Sequence, residues 1–297
     1  MKLALTGATG FVGSHMLSRL KAEHHYVRAL VREPGRAAAL ASPQVEFVRA
    51  DVVSGIGLDA ALDGCEAVVH LVGIIMEVGD QTFERVHHLG TRNMVEAARR
   101  AGVSRFVQMS ALGARADGVS DYQRSKYRGE EEVRNSGIPF TILRPSIIFG
   151  PRDGFVSQMV DVMRKAPVQP VVGHGRYPFR PIYIDNVVDC FVQSLTSEKA
   201  VGRSVDLGGL DELTLEQMLD EIARCIGVRK MKLHVPFALM KLNAAILGAV
   251  LRRPPVTTDQ LAMLREGSTC DIGPMLETFD LKLVGFSEGL RKYLCPA

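Results

Sequence analysis

Three glycines near the amino end, Gly7, Gly10 and Gly13, constrain the fold of this chain more than any other feature. They lie in LTGATGFVGSHM, directly after the apolar run 2–6 and at the start of a helical pattern over 11–23. The first permits a tight turn, the second lets backbone approach a pyrophosphate, and the third lets the helix pack closely on the strand. The helix would add free N–H groups and a partial positive charge. We therefore expect a diphosphate cradle formed by Gly7, Ala8, Thr9, Gly10, Phe11, Val12 and Gly13.

Short apolar runs alternate with helical stretches along the first half of the chain. The runs are 2–6, 26–31, 45–50, 67–72, 105–110 and 140–145. Strands that are apolar throughout, with helices between them, are typical of a parallel sheet covered on both faces. Right-handed crossovers then predict an α/β fold with a doubly wound, Rossmann-type sheet.

The regular alternation weakens after residue 150. Pro and Gly crowd 166–181, and shorter extended and helical pieces follow. We expect a dinucleotide-binding domain over 1–150 and a smaller, discontinuous substrate or interaction part over 151–297. The segment 182–206 is expected to rejoin the main sheet.

Composition limits the classes of partner. The chain is 46% hydrophobic and 23% charged, with a net charge of +3, and no Lys/Arg run interleaved with aromatics indicates a nucleic-acid surface. No signal peptide or run of ~18 apolar residues for a transmembrane helix is expected. The nearest apolar run, 236–253, fits a core or interface helix better than the alternative, a membrane-surface helix ending in Arg252 and Arg253.

The five cysteines are far apart and lack C-x-x-C spacing. This spacing argues against a metal site and against a disulfide framework, and it suits a reducing compartment. We expect a cytoplasmic protein, either free or peripheral to a membrane.

The end of the second strand bears on the choice of dinucleotide. An acidic residue there would accept hydrogen bonds from a ribose 2′-hydroxyl and favour NAD. This chain has Arg32, with Arg36 one turn later. A guanidinium can form a bidentate interaction with a 2′-phosphate, so NADP(H) is favoured over NAD(H). The alternative is that both arginines are solvated surface residues.

Other candidate cofactor contacts follow the next strands. Asp51 either accepts from the adenine amino group or serves as a cap or turn residue. Residues 74–76 are candidates for an apolar pocket, and Arg144 either touches an anionic substrate or forms a structural ion pair. The remaining positions expected to contact the cofactor are Val52, Leu71, Val72, Gly73, Lys126 and Pro145.

Tyr122 and Lys126 are four residues apart on a predicted helix over 122–135 and therefore share a face. A phenol with a pKa of ~10 is a poor base at neutral pH, but an ammonium and an oxidised nicotinamide would lower that pKa. Ser110, at the end of the fifth strand, could hold the substrate oxygen with the phenol. Such a set would move a proton while the cofactor moves a hydride.

Several segments occur together and in order: TGATGFVGSH, GTRNMVEAAR, MSALGA, YQRSK, LRPSIIFGP and PIYIDNVVD. In these the chain resembles the extended short-chain dehydrogenase/reductases, also called NAD-dependent epimerase/dehydratases. It is similar in particular to the atypical group that includes the NADPH-binding accessory subunit of respiratory complex I. The resemblance implies about seven strands, a nicotinamide over Tyr122, and catalytic positions at Ser110, Tyr122 and Lys126.

Three positions depart from the family pattern. His87 replaces an Asn that shapes a helix bulge and a proton relay, and is either a proton carrier or a packing residue. Asn186 replaces an Asp. The Arg that grips a nucleotide-sugar diphosphate does not align, since Arg180 is displaced by one position and Arg176 lies further away.

Two functions remain open from the sequence. One is an NADP(H)-dependent oxidoreductase or epimerase/dehydratase that uses Tyr122 as acid and base. The other is a non-catalytic NADPH-binding accessory, assembly or redox-sensing protein of respiratory or ubiquinone machinery. The substrate is unspecified, and a homodimer through the helices 82–101 and 122–135 is open.

Overall fold

The strands of the computed structural model, which describes residues 1–37 and 42–295, follow the predicted alternation. They are β1 Lys2–Thr6, β2 Tyr26–Val31, β3 Val45–Arg49, β4 Ala67–His70, β5 Arg105–Met109, β6 Phe140–Pro145, β7 Ile148–Phe149, β8 Gln169–Val172, β9 Pro178–Phe179, β10 Ile182–Tyr183, β11 Arg203–Leu207, β12 Leu213–Thr214 and β13 Lys232–Val235.

The helices lie between these strands and near the carboxyl end. They are α1 Phe11–Ala22, α2 Pro34–Ala37, α3 Leu58–Leu62, α4 Gly90–Arg100, α5 Asp121–Arg134, α6 Phe155–Lys165, α7 Ile184–Ser194, α8 Leu215–Cys225, α9 Phe237–Val250, α10 Thr258–Glu266, α11 Gly273–Thr278 and α12 Phe286–Arg291, with a π-helical turn at Glu84–Leu89 and a 3₁₀ turn at Glu198–Ala200.

The central sheet has seven strands in the order β11-β6-β5-β4-β1-β2-β3, and the pairings from β6 to β3 are parallel. The predicted Rossmann-type α/β fold of about seven strands is confirmed. The strand order reverses between β1 and β4, where Thr6 pairs in register with His70. In sheets of this kind, ligands bind at the carboxyl ends of the strands on either side of the reversal.

A π-helical turn interrupts the helix that the sequence predicts over 82–101. At this turn α5 comes very close, because a Cβ on Gly129 would lie 2.4 Å from the carbonyl oxygen of His87. The hydroxyl of Thr91 donates to that same carbonyl at 2.6 Å. A side chain thus satisfies a carbonyl of the widened turn. Turns of this kind occur often at functional sites.

The chain divides into two compact units. The first comprises Met1–Arg144, Val188–Val205 and Gly273–Leu281, and the second the remainder. In the second unit, three two-stranded pairs (β7 with β10, β9 with β12, β8 with β13) lie among its helices. Its core includes Phe149, whose ring lies 4.8 Å from that of Phe286 and 5.4 Å from that of Tyr183.

Asn186 has a structural role within the second unit. Its amide nitrogen donates to the carbonyl of Lys282 at 2.9 Å, and its oxygen accepts from the N–H of Val284 at 3.0 Å. A carboxylate could accept the second bond but could not donate the first. The replacement of Asp by Asn at this position therefore fits the carboxyl-terminal segment that it holds.

Two expectations from the sequence are wrong in the second unit. A disulfide joins Cys225 to Cys295, because the fold brings together residues that are 70 apart in the sequence. The segment 236–253 does not form a core helix, since Ala244 is the one buried residue of α9, while its roles as an interface or membrane-surface helix stay predictions. Among the described residues, no helix is long and apolar enough to cross a membrane.

Candidate dinucleotide site and active site

The cradle is a backbone structure that only glycine permits. Gly7 has a φ of 72°, and the N–H of Gly10 donates to its carbonyl at 2.9 Å. A Cβ on Gly13 would lie 1.9 Å from the oxygen of Gly7. No side chain caps α1, and its first turn carries no acidic residue. The N–H groups at this end thus suit an anionic ligand, which is how the residues present fit a dinucleotide.

The seven predicted cradle residues differ in their exposure to solvent. Thr9 and Gly10 are exposed, and Gly7 and Phe11 are half-buried. Ala8, Val12 and Gly13 are buried, so their side chains or α-carbons pack inside the protein. A ligand would meet these three residues through their backbone.

The predicted catalytic residues come from the end of β5 and from α5. Lys126 is buried, and its Nζ donates at 3.3 Å to the carbonyl of Met109, the residue before Ser110. Ser110 is 3% exposed, and its hydroxyl oxygen has no hydrogen-bond partner among the described residues. An unpaired buried hydroxyl is costly unless a ligand or water satisfies it. The hydroxyl of Ser110 can therefore still donate a hydrogen bond to a bound molecule or accept one from it.

The ring of Tyr122 is held by two other rings. Phe83 and His87 stand edge-on to it, with centroids at 5.7 and 5.3 Å. The predicted cofactor contact Gly73 lies beside Lys126, since a Cβ on Gly73 would come within 2.8 Å of Nζ. The loop after β4, the end of β5 and the face of α5 therefore meet around Lys126.

Burial dominates the acid–base properties of the pair. Desolvation raises the pKa of Tyr122 to about 12. It lowers the pKa of Lys126 to about 8, although the carboxylate of Glu130 acts in the opposite direction. In the protein by itself, the tyrosine is therefore a neutral phenol at neutral pH. A further positive charge is needed to make it a base.

His87 is a buried, neutral ring with both nitrogens occupied. The N–H of Ile74 donates to Nε2 at 3.0 Å, so the ring proton lies on Nδ1, which is 2.9 Å from the hydroxyl of Ser125. That hydroxyl donates to the carbonyl of Tyr122 at 2.8 Å. Burial, and then the charge of Lys126, lower the pKa of His87 to about 2. This favours a positioning residue over a proton carrier near neutral pH.

A second buried histidine, His70, extends this network and is not among the residues predicted from the sequence. The hydroxyl of Thr91 donates to the backbone carbonyl of His87, so it accepts at its 3.3 Å contact with Nε2 of His70, and Nε2 carries the ring proton. Nδ1 then accepts from the hydroxyl of Thr6 at 2.9 Å. Burial is the main cause that lowers the pKa of His70 to about 3. A histidine at the end of an otherwise apolar strand was the available signal.

Of the other predicted contact residues, one is exposed and two are bonded within the protein. Arg32 is exposed and has no ion pair among the described residues, whereas the side chain of Arg36 lies outside them. The carboxylate of Asp51 accepts from the N–H of Val53 at 3.0 Å and from the hydroxyl of Ser54 at 3.1 Å, which is the turn role. Arg144 forms a two-pronged ion pair with the buried carboxylate of Glu130.

The remaining cofactor positions are backbone or packing residues. Val52 and Leu71 are buried, Val72 is half-buried and Gly73 is exposed. Pro145 is buried and closes β6. Among the described residues, no cluster of His, Cys, Asp or Glu could hold a metal ion.

Comparisons with known proteins agree with this geometry. A family model described as NAD(P)H-binding matches residues 7–169. Ceramide reductase of Caulobacter vibrioides is 36% identical over 57% of this chain and 53% of its own length. NADH dehydrogenase [ubiquinone] 1 alpha subcomplex subunit 9, mitochondrial, of Arabidopsis thaliana is 26% identical over 84% of this chain and 64% of its own. The chain therefore spans about half to two thirds of these relatives.

A solved structure shows the same fold. UDP-glucuronic acid 4-epimerase from Bacillus cereus in complex with NAD superposes with a TM-score of 0.79. The superposition covers 99% of this chain and 97% of the epimerase. At 20% sequence identity, this likeness concerns the fold alone.

Lowering the pH should destabilise the protein through His70 and His87. The folded state keeps both rings neutral to about pH 3 and 2, whereas the unfolded chain protonates them near pH 6.5. Below pH ~6.5 the unfolded state therefore binds more protons than the folded state. The free energy of unfolding is highest above this pH and falls below it by up to ~1.4 kcal/mol per pH unit for each ring. Urea unfolding between pH ~6.5 and ~5 measures this slope.

A variant of His87 tests its share of this pH dependence. We expect His87→Asn to reduce the slope by about one proton. His24→Asn, at an exposed position, is the control for the substitution itself. An unchanged slope in His87→Asn would contradict a buried neutral ring.

Proposed function

Since the chain belongs to the NAD(P)H-binding family and has the fold of the extended short-chain dehydrogenase/reductases, we propose that it is an NADP(H)-dependent oxidoreductase or epimerase/dehydratase. In this proposal Tyr122 is the acid and base, Lys126 orients the cofactor and the phenol, and Ser110 binds the substrate oxygen. The second unit would supply substrate or partner contacts.

The observation that carries this proposal is the unpaired, buried hydroxyl of Ser110. It lies next to Met109, to which Lys126 donates, and it follows a strand whose carboxyl end is on the ligand-binding side of the sheet. A purely structural serine at such a place would be expected to find a protein partner. A substrate carbonyl or hydroxyl would satisfy it.

Each residue has a separate task in the proposed reaction. When bound, the nicotinamide supplies the hydride chemistry and, in its oxidised form, a positive charge. The ammonium of Lys126 would donate a hydrogen bond at the nicotinamide end of the cofactor. His87 and Ser125 fix the carbonyl of Tyr122 and thereby the first turn of α5. Tyr122 would then exchange one proton with the substrate oxygen held by Ser110.

A second function is favoured by one relative and by one residue. The complex I subunit from Arabidopsis thaliana aligns over most of this chain. His87, with both nitrogens occupied and its pKa lowered, offers no relay group for turnover near neutral pH. A cofactor-binding accessory or redox-sensing protein of respiratory or ubiquinone machinery fits both observations. Cytoplasmic location and homodimer formation stay predictions.

The two functions differ in turnover. A panel of lipid ketones, simple carbonyls and nucleotide sugars, assayed with NADPH and NADP⁺, separates them. The enzyme proposal requires turnover of at least one class that is lost in Ser110→Ala and Tyr122→Phe. Cofactor binding without reaction across the panel favours the accessory function.

The ionisation of Tyr122 tests its role without a known substrate. We expect saturating NADP⁺ to lower the pKa of one tyrosine from about 12 towards neutral pH, because a positive ring beside the phenol stabilises the phenolate. Ultraviolet difference spectra at alkaline pH measure this as tyrosinate absorbance. NADPH, whose ring is neutral, should not cause the shift.

Two tyrosine variants assign the signal. Tyr122→Phe should remove the NADP⁺-dependent titration, whereas Tyr127→Phe, one position after Lys126 on the same helix, should retain it. If the titration is the same with and without NADP⁺, the phenol does not face the nicotinamide.

The exposed Arg32 tests the choice of cofactor. A charge-assisted bond to the 2′-phosphate contributes ~1.5–3 kcal/mol, so Arg32→Ala should weaken NADPH binding about tenfold or more and leave NADH binding unchanged. Fluorescence titration of both cofactors measures this, with Arg92→Ala on the exposed face of α4 as the control. Equal affinities of the wild-type protein for NADH and NADPH would contradict the NADP(H) preference.

A further inference from the structure

The helix α9, Phe237–Val250, exposes an apolar surface that nothing in the proposed reaction uses. Four large apolar side chains are separated by three, four and four residues and so lie along one side of the helix. They are Leu239, Leu242, Ile246 and Val250, which are 49%, 57%, 54% and 76% exposed. We call these four residues the α9 stripe.

The opposite side of α9 is attached to the protein. Ala244 is buried, and the ring of Phe237 lies 5.4 Å below the guanidinium of Arg265 from α10. Helix α9 thus has a fixed orientation in its own unit and presents the stripe outwards. Leu233, on β13, and Leu251, directly after α9, are exposed apolar residues as well.

The chain segment that contains α9 carries charge of one sign. Between Glu221 and Asp259 the chain has no acidic residue and seven Lys or Arg. Lys232 is neutralised by Glu216 and Asp220. Lys241, Arg252 and Arg253 are exposed and form no salt bridge within the part of the chain that the structure describes. A partner that is both apolar and anionic would complement such a surface.

We propose that the α9 stripe docks on the surface of an anionic lipid bilayer, with Arg252 and Arg253 at the level of the headgroups. Apolar side chains enter the boundary between headgroups and acyl chains, while basic residues are attracted to anionic lipid. Lys241, on the far side of the helix, can reach the headgroups through its long side chain.

The dimensions exclude insertion across the bilayer. The 14 residues of α9 extend over about 21 Å, less than the ~30 Å hydrocarbon core. The helix can therefore lie in the interface plane and cannot span. Such docking would place the second unit at a membrane surface and give the protein access to lipid-soluble substrates or partners. It does not depend on cofactor binding.

Flotation with large unilamellar vesicles tests the proposal on the full-length protein. We expect co-flotation with phosphatidylcholine vesicles that contain phosphatidylglycerol, and binding at least about fivefold weaker to phosphatidylcholine alone, since each basic residue near the surface contributes about that factor. Added salt should weaken the binding to the anionic vesicles. Absence of binding to the anionic vesicles would overturn the proposal.

Matched pairs of variants identify the residues. Leu242→Ser with Ile246→Ser should reduce vesicle binding about tenfold or more, whereas Ile56→Ser, at an exposed position in the first unit, should not. Arg252→Gln with Arg253→Gln should reduce binding to anionic vesicles only. The control is Arg164→Gln with Lys165→Gln, an exposed basic pair at the end of α6.

Two further measurements complete the experiment. Circular dichroism and NADPH binding should be unchanged in the stripe variants, which shows that they fold. Sedimentation velocity distinguishes docking from self-association. A wild-type dimer that dissociates in the Leu242→Ser, Ile246→Ser variant, without vesicle binding by the wild type, would mean that the stripe covers a second copy and would overturn the membrane proposal.

Discussion

The close approach of Gly13 to Gly7 is the constraint from which the rest of the site follows. A side chain on Gly13 would overlap the carbonyl of Gly7, and one on Gly7 would lie 3.2 Å from the backbone of Leu71. The turn after β1, the amino end of α1 and the loop after β4 are therefore in backbone contact at the point where the strand order reverses. This contact places the N–H groups of α1 beside the loop that contains Gly73, which in turn lies against Lys126.

A chain of buried hydrogen bonds connects the cradle strand to the helix of Tyr122. It runs from Thr6 through His70 and Thr91 to the π-helical turn, and from His87 through Ser125 to the carbonyl of Tyr122. Each histidine both donates and accepts, which only a neutral ring can do. The network therefore requires both histidine rings to be neutral, and burial, which lowers the pKa of both, favours that state.

The sequence predicts the cradle and the sheet because their signals are local. The spacing of Gly7, Gly10 and Gly13 identifies the cradle, and the apolar composition of short runs identifies the strands. The family resemblance places a helix bulge at the position of His87, whereas the apolar pattern over 82–101 does not by itself show the π-helical turn at Glu84–Leu89. The disulfide between Cys225 and Cys295 and the network through His70 depend on residues far apart in sequence. The exposure of α9 was misjudged because apolar composition does not reveal what covers a helix.

Isothermal titration of the protein with NADP⁺, NADPH, NAD⁺ and NADH tests the central claim, that a pyridine dinucleotide binds with its diphosphate at the amino end of α1. We expect the wild type to bind at least one of the four, and Gly13→Ala to lose this binding. Gly154→Ala, where a Cβ meets nothing within 4 Å, should bind as the wild type does. No affinity of the wild type for any of the four, or undiminished binding by Gly13→Ala, would contradict the account.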